Sequence, residues 1–192
     1  MKQLAIIDNY DSFTYNLVHL FRQITGSQVA VFRNDKITPE MLADFTHIAL
    51  SPGPGLPDEA GSLKEIIKRF AGEKIMLGIC LGHQAIGEVF GSDLTQLKQV
   101  YHGKQSEVHL LSTDGIFKNI PQKIMVGRYH SWVIDPKTLS PELETIAQCE
   151  DGTIMGIKHK SYPIYGLQFH PESILTKYGH HIIENWINLE EV

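Results

Sequence analysis

One pentapeptide joins a nucleophilic side chain to two glycines: Gly78-Ile79-Cys80-Leu81-Gly82. It has the Gly-x-nucleophile-x-Gly pattern with Cys in the place of Ser, and the glycines permit a tight turn from a strand into a helix. The start of a helix favours a thiolate, and the amide of Leu81 would stabilise an oxyanion. The pattern therefore predicts that Cys80 is a nucleophile. The alternative is a small buried side chain, the common fate of a free cysteine.

A thiol nucleophile needs a base and the base needs an orienting partner, and His170-Pro171-Glu172 offers both. The tripeptide follows an apolar segment, and sites assemble at the carboxyl ends of parallel strands. Residues two apart in an extended chain face the same side, and Pro171 keeps His170 extended. Glu172 could then hold one ring nitrogen of His170 while the other faces Cys80. A polar turn without function is the alternative.

The remaining histidines and cysteines have weaker claims to chemistry. His83 could simply cover the start of the helix after Cys80. His180 and His181 are adjacent, so they cannot chelate one metal as an i, i+4 pair would. Cys149 lacks flanking glycines and is predicted to be structural. Two cysteines without paired spacing favour neither a disulfide scaffold nor a zinc site, so no metal site is predicted.

A second loop is rich in glycine and proline: Ser51-Pro52-Gly53-Pro54-Gly55. It follows the apolar segment 47–50 and should lie at the same sheet edge as Cys80. No Gly-Lys-Ser/Thr follows, so it is not a P-loop, and a rigid turn is the plain alternative. Beside a nucleophile, Gly53 or Gly55 could bring backbone amides to the substrate and complete an oxyanion hole.

Short apolar segments alternate with amphipathic ones in the first half of the chain. They predict strands buried on both faces and helices that cover them. Strands are expected at 4–7, 29–32, 47–50 and 75–79. Ser12 should cap the first helix and Gly26 should end it. Shorter strands are expected at 108–111, 123–126, 145–147, 154–157 and 164–169, and a last helix at 178–189.

This order predicts an α/β fold, in which a mostly parallel central sheet is flanked by helices and carries an antiparallel extension in the second half. The length of 192 residues suits a single domain, 1–192. With 42% hydrophobic and 20% charged residues the chain is neither disordered nor fibrous. The net charge of −5 argues against nucleic-acid binding. No signal-peptide core or membrane-length apolar segment occurs, so a cytoplasmic protein without membrane contact is expected.

Taken together, the motifs resemble those of triad (class I) glutamine amidotransferases, and the resemblance covers essentially the whole chain. More narrowly, the chain resembles the small glutaminase subunits, component II, of anthranilate synthase and aminodeoxychorismate synthase. The matching segments, in chain order, are 8–14, 51–55, 78–84, 102–104, 128–131 and 168–173. Several long motifs in the same order make this resemblance specific.

The resemblance implies a role for each matching residue. Cys80 would attack the side-chain amide of L-glutamine, His170 would shuttle the proton, and Glu172 would orient His170. The residues implied in holding the substrate and the oxyanion are Gly53, Pro54, Gly55, Leu81, Gln84, Ser131 and Trp132. Trp132 departs from the family, where Leu is common, so the pocket wall is expected to differ there.

The resemblance also implies a partner. Chorismate, and the magnesium it requires, would belong to a separate large synthase subunit, and this chain would need no cofactor and supply only ammonia. The acceptor reaction stays open between anthranilate synthase in tryptophan biosynthesis, aminodeoxychorismate synthase in folate biosynthesis, and a subunit shared by both. A catalytically dead regulatory module and a free-standing thiol hydrolase are the alternatives from other classes.

Overall fold

The structure, a computed structural model, describes residues 3–190. The strands in that range are β1 Leu4–Asp8, β2 Ala30–Arg33, β3 His47–Leu50, β4 Ile75–Ile79, β5 Leu94–Gln96, β6 Lys104–Leu110, β7 Lys123–Arg128, β8 Trp132–Ile134, β9 Leu143–Gln148, β10 Ile154–His159 and β11 Ile164–Leu167. The α-helices are α1 Thr14–Thr25, α2 Leu63–Phe70, α3 Leu81–Val89 and α4 Gly179–Ile187. No helix between residues 3 and 190 is long and apolar enough to cross a membrane.

Nine strands form one sheet in the order β2-β1-β3-β4-β11-β10-β9-β6-β7. The strands from β2 to β11 in that order are parallel, and the remaining four join through antiparallel pairs. This confirms the predicted α/β fold with its antiparallel extension. Because β1, β3, β4 and β11 run in one direction, their carboxyl ends share one edge. The residues that follow these strands therefore meet there: Asn9, Ser51, Cys80 and Gln168.

The central strands β1, β3 and β4 are buried on both faces, as their continuous apolar segments predict, whereas alternate residues of the edge strand β2 are exposed. In β4, Leu77 packs in the core that contains α1 and α4, whereas its neighbour Met76 packs in the core that contains α2 and α3. This alternation follows from the two-residue period of a strand. In the first core Phe21 of α1 stacks on Trp186 of α4, with ring centroids 5.6 Å apart and both side chains fully buried.

The start of the first helix differs from the prediction. Ser12 is exposed, and α1 begins at Thr14 without a side-chain cap, so the predicted cap is wrong. Asp8 organises this turn instead, because its Oδ1 accepts hydrogen bonds from the Thr14 hydroxyl at 2.8 Å and the Tyr10 amide at 3.0 Å. The amides at the start of the helix bond to Asp11 instead of Ser12, Phe13 to its Oδ2 at 2.8 Å and Thr14 to its carbonyl at 3.3 Å. Gly26 does end the helix, in the left-handed conformation with φ 65°.

Two details of the strands were not predicted. β5 and β8 form a separate antiparallel pair that sets Trp132 opposite Gln96. Each has only three residues, which is too short for a two-residue period to stand out. β11 ends at Leu167 rather than at Phe169, because the chain bends there and the amide of His170 then bonds to the carbonyl of a different strand.

Phe21→Ala tests the packing of α1 on the sheet. Removing a fully buried ring that stacks on Trp186 should lower the free energy of unfolding by about 3–5 kcal/mol. Urea denaturation followed by circular dichroism measures this. The matched control is Tyr15→Ala on the same helix, where the side chain is 76% exposed and the change should stay within about 0.5 kcal/mol. Equal effects of the two substitutions would contradict the packing described.

Candidate active site

Cys80 occupies a strained turn between β4 and α3. Its backbone has φ 51° and ψ −99°, an unfavourable conformation for a residue with a side chain. The flanking glycines allow the turn to close. A Cβ atom on Gly78 would lie 2.4 Å from the carbonyl group of Gly82, and a Cβ on Gly82 would lie 2.5 Å from the carbonyl oxygen of Leu50. The predicted nucleophile elbow is therefore present, and its cysteine is 7% exposed.

His170 and Glu172 form a buried pair. His170 Nδ1–H donates to Glu172 Oε1 at 2.6 Å, and the two side chains are 3% and 0% exposed. This hydrogen bond fixes the tautomer of the ring and leaves Nε2, which is buried and makes no hydrogen bond among the described residues, available to Cys80, whose charge acts on the same imidazole. The structure thus brings together the three residues predicted as nucleophile, base and orienting acid.

Several contacts hold the His170 ring in place. The amide of His170 donates to the carbonyl of Gly127 at 3.1 Å, and its own carbonyl accepts from the Thr176 hydroxyl at 2.7 Å. Phe13 and Tyr129 pack edge-on against the imidazole, with ring centroids 5.4 and 4.9 Å away. A ring fixed at both its backbone and its faces can transfer a proton without reorganisation.

The charge state of His170 follows from its neighbours. Burial alone would lower the pKa of His170, but the charge of Glu172 and the interaction with Cys80 outweigh it and raise the pKa to about 10. The ring is therefore an imidazolium at neutral pH and loses its proton only as the pH rises through about 10. The charged ring can therefore donate a proton to a leaving group.

The other histidines near the elbow cannot serve as the base. Burial lowers the pKa of His83 to about 3, and its ring lies against the backbone of Gly166. Burial, together with the positive charge of Arg128, lowers the pKa of His130 to about 3. Both rings are neutral at pH 7 and too weakly basic to take a proton from a thiol.

A cavity of about 230 Å³ opens beside Cys80. This is smaller than the roughly 300–1,000 Å³ typical of drug-sized ligands and suits a small metabolite. Six predicted substrate residues line it: Gly53, Pro54, Gly55, Gln84, Ser131 and Trp132. Leu81 does not line it, and its side chain is buried instead. Five lining residues were not predicted: Val100, Tyr101, His102, Tyr129 and His130.

The glycine-rich loop is anchored to the end of β1. The amide and the side-chain Nδ2 of Asn9 donate to the hydroxyl and the carbonyl of Ser51, at 2.9 and 2.7 Å. Asn34 Nδ2 donates to Asn9 Oδ1 at 3.0 Å and completes the anchor. A Cβ atom on Gly53 would lie 2.6 Å from Asn9 Cβ and 2.7 Å from Leu81 Cδ2. Only glycine therefore lets this backbone approach the elbow so closely.

Sequence reasoning missed Gln168 as a residue of the site. Its side chain is fully buried, and Nε2 donates to Cys80 Sγ at 3.6 Å. Its Oε1 accepts from Nε2 of Gln84 at 3.3 Å, and the same Nε2 donates to the Trp132 carbonyl at 2.9 Å. The signal was its position two residues before His170, within the apolar segment 164–169 that was predicted as a strand.

The family model for class-I glutamine amidotransferases matches residues 5–189, so the chain belongs to the class-I glutamine amidotransferase family. It is 44% identical to aminodeoxychorismate/anthranilate synthase component 2 of Bacillus subtilis, over 96% of this chain and 95% of that protein. The solved structure of a GMP synthase protein from Thermoplasma acidophilum superposes with a TM-score of 0.88 at 29% identity, covering 97% of this chain and 92% of that one.

Two longer relatives also match the chain. It is 42% identical to the bifunctional protein TrpGD of Thermotoga maritima over 100% of its length, and 46% identical to a multifunctional tryptophan biosynthesis protein of Phycomyces blakesleeanus over 96%. The chain spans 33% of the first relative and 24% of the second. The similarity to these two proteins is thus confined to one part of each.

Replacing the imidazolium tests the charge state of the site. His170→Gln should slow alkylation of Cys80 by iodoacetamide at pH 7 by about tenfold or more, because an ordinary thiol is only a few per cent thiolate there. The difference in the rate of Cys80 alkylation between the parent and His170→Gln should shrink as the pH rises through about 10, where His170 itself loses its proton. Peptide mass mapping measures the rates.

Cys149 provides the internal control for this labelling. It is buried, and burial raises the pKa of its thiol, so it should stay unmodified at pH 7 in both proteins. Equal rates at Cys80 in the parent and in His170→Gln would show that the imidazolium does not activate the sulfur.

Proposed function

We propose that this chain is the glutaminase subunit of a chorismate-using synthase. It hydrolyses L-glutamine to L-glutamate and ammonia, and the ammonia passes to a large synthase subunit. The observation that carries the proposal is the strained Cys80, beside the buried His170–Glu172 pair, at a cavity of metabolite size. The component 2 relative from Bacillus subtilis supports both the reaction and the existence of a partner.

The proposed reaction begins at the sulfur. The Cys80 thiolate attacks the side-chain amide carbon of glutamine and forms a tetrahedral oxyanion, which the amide of Leu81 and the Gly53–Gly55 backbone stabilise. His170 gives its proton to the departing nitrogen, and ammonia leaves a glutamyl thioester. The now neutral His170 takes a proton from water, which attacks the thioester and releases glutamate. Glu172 holds the ring in one orientation through both steps.

The same contacts define how the substrate would be held. Gln84 Nε2 is already committed to the Trp132 carbonyl and to Gln168, so Gln84 is left with Oε1 to accept from the α-ammonium group. The Ser131 carbonyl accepts from the amide of Leu97 at 2.8 Å. A carboxylate only accepts hydrogen bonds, so the α-carboxylate would be bound by N–H and O–H groups of the Ser131–Trp132 segment.

For the acceptor reaction we propose anthranilate formation, with the tryptophan biosynthesis protein of Phycomyces blakesleeanus in support. Formation of aminodeoxychorismate, or service to both synthases, is the alternative, which the double name of the Bacillus subtilis relative favours. Magnesium belongs to the chorismate-binding partner, and this chain uses no cofactor. Assay of the chain with each large subunit, chorismate and glutamine separates these acceptors by the product formed.

Cys80→Ser tests the proposed chemistry. A serine hydroxyl is a far weaker nucleophile than a thiolate at neutral pH, so glutamine hydrolysis should fall by about a thousandfold or more. Glutamate release measured with the partner bound reports this loss. The large subunit in the same complex should still form product from added ammonium salt, which serves as the control for folding and assembly. Hydrolysis at close to the parent rate would contradict the assignment of the nucleophile.

Partner docking should raise the glutaminase rate through the loop that follows β1. Asn9 anchors the glycine loop, and Phe13 packs against the base His170, so a displacement of this loop moves both halves of the site. The neighbouring surface is open to a partner, since Tyr10 is 50% exposed and Ile174 is 98% exposed.

Ile174→Asp should therefore weaken activation by the large subunit while leaving basal hydrolysis by the isolated chain unchanged. Substitutions at Tyr10, Ser12 or Lys104 should act in the same direction. Steady-state kinetics with and without the partner and chorismate measure the activation, chiefly as a change in kcat. Leu111→Asp, at another exposed apolar residue away from this surface, is the control. If the complex forms and the kcat for glutamine is the same with and without the partner, the proposed activation by docking is contradicted.

A further inference from the structure

A chain of hydrogen bonds runs from a buried arginine to the candidate nucleophile. We call it the amide network, and its members are Arg128, His130, the Trp132 carbonyl, Gln84 and Gln168. Arg128 is 2% exposed, and its guanidinium lies 3.5 Å from the centre of the Tyr101 ring. A buried cation is costly unless its hydrogen bonds are used, and the network uses one of them.

Two groups that leave no choice set the directions: the guanidinium of Arg128, which only donates, and the backbone carbonyl of Trp132, which only accepts. A guanidinium only donates, so Arg128 Nε–H at 3.1 Å requires His130 Nε2 to be an unprotonated acceptor. The proton of the neutral His130 ring must then lie on Nδ1, which donates to the Trp132 carbonyl at 3.1 Å. The lowered pKa of His130 agrees with this neutral tautomer.

From the Trp132 carbonyl the hydrogen bonds continue to the sulfur of Cys80. A carbonyl only accepts, so Gln84 must turn its Nε2 towards the Trp132 oxygen, at 2.9 Å. That amide group also donates to Oε1 of Gln168 at 3.3 Å. Gln168 is thereby left with its NH₂ group towards Cys80 Sγ, at 3.6 Å. The orientation of this last amide follows from the network and does not depend on a choice between its two ends.

We propose that Gln168 is a further catalytic residue, whose N–H stabilises the thiolate of Cys80, and that Arg128, His130 and Gln84 are positioning residues that hold this N–H on the sulfur. The inference rests on the proposed function, which makes Cys80 the nucleophile. Gln168 approaches the sulfur from the end of β11, two residues before His170, so its contact and the candidate base come from one short segment. Burial strengthens a hydrogen bond to a charged acceptor.

The network also ties the nucleophile to the cavity. Gln84 and Trp132 line the space next to Cys80, and both belong to the chain of bonds that ends on the sulfur. At the far end Nη1 of Arg128 donates to Ser106 Oγ at 3.3 Å and to Cys149 Sγ at 3.7 Å, and Nη2 has no hydrogen-bond partner among the described residues. An amide held this way needs no reorganisation when the thiolate forms, which is the requirement for electrostatic preorganisation.

The titration of Cys80 involves more than Gln168. His170 faces the sulfur, with Glu172 and Asp11 behind it, and the neutral rings of His83 and His130 lie on the other packed elements. A midpoint measured by alkylation would therefore report all of these groups together. Gln168→Leu leaves all of these groups in place, whereas Gln168→Glu adds a carboxylate beside them, so the midpoint of Gln168→Leu reports the loss of the N–H contact by itself.

The test is the pH profile of Cys80 alkylation by iodoacetamide in the full chain. Gln168→Glu keeps an oxygen for Gln84 and places a second oxygen where the NH₂ group was, so the midpoint should move upward by about one to two pH units. Gln168→Leu removes the donor without adding charge and should move the midpoint less, in the same direction. Gln84→Leu frees the Gln168 amide to rotate, so this substitution should also shift the midpoint of Cys80 alkylation upward.

Gln148→Glu is the matched control, since it makes the same change at a half-buried strand residue outside the network, and its profile should equal the parent's. A merely structural role for Gln168 would lower the melting temperature without moving the midpoint. Parent-like profiles in folded Gln168→Glu and Gln168→Leu would overturn the inference. Alkylation of Cys80 requires no glutamine, so these profiles test the Gln168 contact independently of the glutaminase function. The glutaminase function is tested separately, by glutamine turnover of the parent chain.

Discussion

The backbone of Cys80 is the constraint on which the rest of the site depends. A residue with a side chain is held at φ 51°, which costs about 1–3 kcal/mol, and this raises the sulfur above the end of β4. Two backbone hydrogen bonds compensate, from the Cys80 amide to the Leu167 carbonyl at 2.8 Å and from the Gln84 amide to the Cys80 carbonyl at 3.0 Å. The neighbouring strand β11 and the helix α3 are thus tied directly to the strained residue.

Those two ties explain why the remaining groups lie where they do. Because β11 holds the Cys80 backbone, the residues that continue β11 arrive at the sulfur, first Gln168 and then His170. Because α3 starts at the elbow, Gln84 is on its first turn, between the sulfur and the cavity. The buried charges then need partners of opposite sign or strong acceptors, and Glu172 meets that need for the imidazolium.

Much of this could be predicted from the sequence where a local pattern carried the information. The strands 47–50 and 75–79 were predicted at their observed bounds, because apolar residues fill them and polar or glycine-rich turns bound them. The elbow and the His170–Glu172 pair each lie within five consecutive residues. Ser12 failed as a cap because the Phe13 and Thr14 amides bond to Asp11, and no local rule ranks Asp11 against Ser12 as the acceptor.

The amide network could not be predicted from local sequence patterns. Gln84 and Gln168 are 84 residues apart, and Gln84 and the Trp132 carbonyl are 48 apart. Their contact depends on the order of strands in the sheet and on the three-residue pair β5 and β8, which has too few residues to show a period. Side-chain amides also carry no directional information in a sequence. The backbone carbonyl of Trp132, which only accepts, sets which way they point, and Arg128 sets the tautomer of His130.

The proposed reaction passes through a covalent bond to the strained Cys80. The direct measurement is mass spectrometry of peptides from the chain, quenched in acid during turnover of L-glutamine in complex with a large synthase subunit. The account predicts a glutamyl thioester on Cys80, absent from Cys149 in the same digest and absent when glutamine is omitted. Turnover of glutamine with no adduct on Cys80, or with the adduct on another residue, would contradict it.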